Sequence, residues 1–147
     1  MQDFDDPEVE AQWLAERREE IRKYLRGEGI PHGSVGDVPA WHVSPYVSVW
    51  AVESFAKPGL IGWWAICGDL PNDYVSANEA KNPREAVRAI ASIWQEAAQY
   101  MSRGIRHPTF VIGSGDRDEE LAPMLASRAE LLLDWVADAD AWDTDEG

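Results

Sequence analysis

Apolar side chains recur at helical spacing in three stretches of the chain and turn strand-like in a fourth. Along 7–26, Leu14, Ile21, Tyr24 and Leu25 fall on one stripe, with Val9 and Trp13 beside it. The stretch is also punctuated as a helix. Asp6 suits the N-cap, Pro7 the first helical position, and Glu8 and Glu10 the positive end of the helix dipole. Gly27 and Gly29 end it, and 29–39 reads as an irregular loop.

From Trp41 the period shortens. Residues 41–55 are rich in β-branched and aromatic side chains, which favour a pleated strand. Pro45 within them has no ladder donor and belongs at an edge or at the strand's start. Lys57-Pro58-Gly59 supplies a turn, so 60–67 is expected to be the second strand of an antiparallel hairpin. That strand is apolar on both faces and should lie centrally, covered on each side or completed by self-association. Residues 68–77 read as a loop, with Asp73–Ser76 a candidate third strand. Asn82-Pro83-Arg84-Glu85 then starts a helix over 83–103, where Val87, Ile90, Ala91, Trp94, Ala98 and Met101 keep its spacing. Residues 109–112 are a candidate fourth strand. A last helix is expected over 119–137, lined by Leu121, Leu125, Leu132, Trp135 and Val136, its regular part beginning at Pro123. These elements predict an α+β fold: a two-layer sandwich of three helices on a small antiparallel sheet, forming a single domain over 1–137. The acidic tail 138–147 is expected to be mobile, with Trp142 positioned to pin it.

Composition narrows the class. The chain has 147 residues, enough for one core, and eight tryptophans, whose large buried areas should dominate that core. Cys67 is the one cysteine, so no intramolecular disulfide forms, and its apolar surroundings suit a small buried hydrophobe. The N-terminus lacks the layout of a secretory signal, and the apolar run 60–67 is far too short for a membrane helix. A cytoplasmic location is the expectation.

Charge is uneven. Residues 1–30 carry nine acids against five bases and residues 116–147 eleven against two, while 31–115 are nearly neutral, for a net charge of −14. Such a surface repels phosphate backbones, so nucleic-acid binding is not expected. Solubility accounts for the charge; a basic protein partner is the sharper reading.

Candidate chemistry is sparse. His32, His42 and His107 show no paired ligand spacing, so no metal site and no cofactor are expected. Burial should make Cys67 inert as a nucleophile. The GSGDRDEE run at 113–120 lacks the lysine of a P-loop and places acids where an anion would sit. Trp63–Tyr74 is more informative: a buried aromatic strand ends in a glycine and then presents Asp69 and Asp73 around a Leu-Pro bend, with Tyr74 beside them. Two carboxylates on one rigid loop suit a cation or a shared proton, although aspartates in such places also serve simply to bond their own backbone amides. Trp41 and His42, with Tyr46 and Trp50, form a second cluster suited to a pocket wall or a partner contact as well as to core packing.

The run Trp-Trp-x-Ile-x-Gly-Asp-Leu-Pro-x-Asp-Tyr-Val-Ser from Trp63, followed by Asn-Pro-Arg-Glu-Ala from Asn82 and by RAELLLDW at 128–135, resembles an uncharacterised family of small bacterial proteins. The resemblance implies a bacterial or phage source and carries over no catalytic residue. Two functions from different classes follow. One is a non-enzymatic acidic binding protein of immunity, inhibitor or adaptor type. The other is a small enzyme or ligand binder using Asp69 and Asp73 with nearby aromatics.

Overall fold

A computed structural model describes residues 5–103, 105 and 118–142. The candidate strand at 109–112, the glycine turn at 113–115 and the chain beyond 142 lie outside the described residues. The element order is α1 (Pro7–Gly27), β1 (His32–Val35), β2 (Trp41–Val43), β3 (Val47–Ser54), β4 (Ile61–Gly68), β5 (Leu70–Ser76), α2 (Pro83–Ser102) and α3 (Asp118–Ala137), followed by a 3-10 turn at Ala139–Ala141. Among the described residues, three helices and a five-stranded antiparallel sheet make the fold α+β. Two compact units are formed, Met1–Ala86 and Val87–Gly147.

The first unit holds the sheet. Its order is β1-β3-β4-β5, with β2 also pairing to β3, so β1 and β2 share one flank of β3. Trp41–Val43 pair with the start of β3, and His32 and Val35 with its end. β3 and β4 form the expected hairpin, from Val47 opposite Gly68 to Glu53 opposite Ile61. Because strand side chains alternate between faces, Trp50, Val52, Ala65 and Cys67 share one face. They bury Ile21 and Leu25 of α1 against them, with Leu14, Tyr24, Trp63 and Tyr74 at the margin. Val47, Val49, Trp64, Ile66 and Val75 alternate onto the opposite face and are buried too.

Three sequence expectations change. The single strand at 41–55 is two strands: Pro45 offers no ladder donor, and the chain turns over 44–46, where the Ser44–Pro45 peptide is cis. Tyr46 N donates to Val43 O across that turn at 2.7 Å. The loop at 29–39 contains β1, whose edge carbonyls at Val35 and Gly36 each accept a hydrogen bond from Arg18 at 2.8 Å. The loop at 68–77 is mostly β5, separated from β4 by Asp69 alone. Gly68 permits this. Its φ is +145°, and a Cβ there would collide with the Tyr46 backbone.

Helix punctuation follows the sequence closely. Asp6 Oδ1 accepts from Glu8 N at 2.9 Å to cap α1. Asn82 Oδ1 accepts from Glu85 N at 2.9 Å, while Glu85 Oε1 accepts from Lys81 N at 2.7 Å, closing the start of α2 reciprocally. In the second unit, Trp94, Ile90, Ala97, Leu125, Ala129, Leu132 and Val136 are buried. α3 begins at Asp118 and carries Pro123 inside its first turns. It therefore starts before the proline, which lies past the free amides of the helix start and so removes one intrahelical donor. Trp142 Nε1 donates to Trp135 O at 2.7 Å, which fastens residues 138–142 to the end of α3.

Candidate functional site

The residues singled out in the sequence fall at three separate places on the sheet. Trp63 on β4 and Tyr74 on β5 meet edge to face, with ring centroids 5.6 Å apart, and Tyr24 of α1 lies 6.2 Å from Tyr74. The strand period put Trp63 and Tyr74 on the α1 face, and helical spacing put Tyr24 opposite them. Burial foremost, then the Glu28 and Asp73 carboxylates, raises the Tyr74 phenol above its ordinary value. Tyr24 is raised further, by burial first and then by Asp73 and Glu28. Both phenols therefore stay protonated at neutral pH and serve as donors rather than as bases.

Asp73 precedes Tyr74 on β5, and its Oδ1 accepts the Tyr74 backbone N–H at 2.8 Å. Asp69 sits at the β4–β5 junction, where its N–H donates to Tyr46 O at 2.8 Å and ties this junction to the β2–β3 turn. A bulge intervenes: Gly68 opposes Leu70 and Ile66 opposes Asp73, so β5 has one residue more than β4 there. Asp69 and Asp73 thus stand apart by four residues of near-extended chain, roughly 12 Å. They do not share one rigid loop.

Trp41 and His42 lie on β2, two strands from Trp63. Trp41 is buried. His42 Nε2 lies 3.2 Å from Glu10 Oε2, and Ser44 Oγ donates to the same oxygen at 3.0 Å. These two bonds, His42 first, hold the Glu10 carboxyl below its ordinary value. The cluster fastens the start of α1 to the β2 hairpin. Glu10 enters it from 32 residues away, a pairing that strand and helix periods do not disclose. Cys67 is buried under α1, and burial pushes its thiol up to about 12, far from a nucleophile's range. Among the described residues no group of three or more His, Cys, Asp or Glu side chains is placed to hold a metal ion. No described helix is long and apolar enough to cross a membrane.

A feature not anticipated residue by residue lies in the second unit. A groove of about 760 Å³ runs between α2 and α3, lined by Gln95, Gln99 and Ser102 on one side and Pro123, Ser127 and Glu130 on the other. Glu130 and Asp134 continue from it four residues apart on one face of α3, Asp138 follows as the N-cap of the 3-10 turn, and all three are exposed. Leu131, also exposed, adjoins them. Residues 118–142 contain a single base, Arg128. The charge count at 116–147 signalled this face, and reading the acids at helical period would have located it. Trp13, Trp41, Trp50, Trp64 and Trp94 are buried, so tryptophan contributes chiefly to packing rather than to a contact surface.

No curated protein and no solved structure matches the chain. A family model, described as a domain of unknown function, DUF4826, matches residues 8–142, which span every helix and strand just described apart from Pro7. The chain belongs to the DUF4826 family.

Proposed function

We propose that this is a non-enzymatic acidic binding protein of bacteria or phage, of immunity, inhibitor or adaptor type, whose α3 face receives a basic protein in the bacterial cytoplasm. One observation carries the reading: the exposed pair Glu130 and Asp134 on α3, with exposed Asp138 just past its end, beside the α2–α3 groove. Like charges four residues apart destabilise a helix by a few tenths of a kcal/mol per pair. Among the described residues neither Glu130 nor Asp134 has a basic partner to offset that cost. A cationic partner would do so, with Leu131 and the groove supplying apolar contact.

The test is affinity capture from a native bacterial lysate at low and high salt, read by mass spectrometry. Three baits are compared: wild type, Glu130→Lys/Asp134→Lys, and Asp69→Asn/Asp73→Asn. A basic protein held by wild type, released by salt and lost from the first variant supports the reading. Equal retention by that variant refutes it for this face, and loss confined to the second variant would move the site to β5.

A further inference from the structure

β5 ends the strand order on one side, and its ladder to β4 fixes which of its backbone groups turn outward. Ala77 N donates to Gly62 O at 2.9 Å, continuing the register in which Val75 faces Trp64, Tyr74 faces Ala65 and Asp73 faces Ile66. Antiparallel partners alternate between bonded and non-bonded pairs. Asp73 and Val75 therefore bond to β4, while the N–H and C=O of Tyr74 and Ser76 point away from it. Two of those outward groups are already occupied. The Tyr74 N–H donates to Asp73 Oδ1 at 2.8 Å. The Ser76 C=O accepts from Glu79 N at 3.0 Å and from Ala80 N at 3.1 Å.

The two closures differ in kind. The second belongs to the turn that leads into α2. The first is a side chain that bends from its own face of the strand over the edge, to bond the amide of the next residue. A carboxylate so placed competes with any incoming strand for that amide. The strand would bring a carbonyl oxygen to the Tyr74 N–H and meet a carboxylate oxygen there. β1, at the other end of the strand order, is treated likewise: Ser34 N donates to Glu53 Oε1 at 3.0 Å, and Arg18 takes the Val35 and Gly36 carbonyls. β4, for which self-association was weighed from its two apolar faces, is buried from Trp64 to Cys67. Pairing of one sheet with another is left to the edges.

We infer that Asp73 seals the β5 edge: by holding the Tyr74 N–H it prevents β5 from pairing with the β5 of a second copy. Two such strands related by a two-fold axis run antiparallel. In the register that sets Tyr74 against its own counterpart, the two central bonds run from each Tyr74 N–H to the other Tyr74 C=O. Those are the bonds that Asp73 denies. The inference is independent of the α3 reading and engages different residues.

The full chain is compared with Asp73→Ala, Asp73→Val and Asp73→Asn. The readouts are sedimentation at high salt, which screens the net charge of −14, and amide hydrogen exchange followed by NMR. In wild type the Tyr74 and Ser76 amides should exchange at the same rate from low micromolar to near-millimolar concentration. In Asp73→Ala the Tyr74 amide should exchange about tenfold faster or more at low concentration, since a bond to a charged acceptor is gone. At high concentration that variant should associate, and its Tyr74 and Ser76 amides should become protected. Asp73→Val removes the same acceptor while adding strand propensity, so it should act in the same direction even if alanine weakens the fold. Asp73→Asn keeps an oxygen for the amide and should stay close to wild type. Circular dichroism verifies that each variant folds. Folded Ala and Val variants that stay monomeric at every concentration overturn the inference. So does association that leaves the Tyr74 amide unprotected, or an Asn variant that associates as strongly as Ala.

Discussion

Trp50 donates its indole N–H to the Ser48 hydroxyl at 2.9 Å, two residues back on the same face of β3. Ser48 in turn donates to Cys67 O at 3.2 Å across the ladder. Both side chains are buried, so neither has water as an alternative. Ser48→Ala leaves a buried indole donor without an acceptor and should cost about 1–3 kcal/mol in urea unfolding. Trp50→Phe/Ser48→Ala should cost less than the sum of the two single changes, since removing the indole removes the unmet donor. Additive losses would show that the bond contributes nothing.

Cys67 reports on opening of the α1 face. Its thiol is buried, and its Sγ lies 3.5 Å from Arg17 O. Alkylation at mild alkaline pH should be slow in the native protein and fast in urea. The sign of the pH effect follows from the raised pKa. The folded protein holds this proton more tightly than the unfolded chain, so stability from it is complete below the thiol's ordinary value of 9.0 and is lost as pH rises towards about 12. Denaturant midpoints measured across that range should fall for wild type and fall less for Cys67→Ala.

The Glu10 contact with His42 and Ser44 works at the opposite end of the pH scale. A carboxyl held below its ordinary value contributes stability above the unfolded pKa and loses it as pH falls through the lower folded value. Glu10 is more than a third exposed, so solvent screening limits the effect to roughly 0.2–1 kcal/mol. Glu10→Gln should therefore flatten the acid limb of the stability curve. His42→Ala should act on the same limb, and the two together should be less than additive; an unchanged acid limb in both would remove the contact from the account.

Among the described glycines of the sheet, Gly68 stands closest to another stretch of backbone. Gly68→Ala forces a side chain into a positive φ and against the Tyr46 backbone. A loss of about 2–4 kcal/mol is expected from strain and displacement combined. Gly27, where a Cβ would meet nothing within 4 Å, is the control and should tolerate alanine. Equal stability of the two variants by denaturant titration would contradict the geometry.

What the sequence determined by itself is local. Caps at Asp6 and Asn82, the apolar stripes of α1 and α2, and the β3–β4 hairpin with its apolar central strand depend on neighbours a few residues apart, and period and propensity register these directly. Kinship with an uncharacterised family was likewise legible, because it rests on linear order. The tertiary structure decided whatever rests on partners far along the chain. β1 is a strand because Ser54 and Val52 oppose it from about twenty residues away, and its four residues carry too little apolar pattern to declare that. β5 follows Gly68 after Asp69 alone because one glycine adopts a positive φ that other residues disfavour, which no hydrophobic period encodes. Asp69 and Asp73 looked adjacent because they are close in sequence, yet a loop would have gathered them and an extended strand holds them apart. Glu10 and His42 meet only once α1 has docked on the sheet. Burial is decided the same way: Trp50 and Trp64 became core and Leu60 became surface through the closing of the whole sheet, since apolar character alone states a preference and only the packed neighbours determine whether it is met.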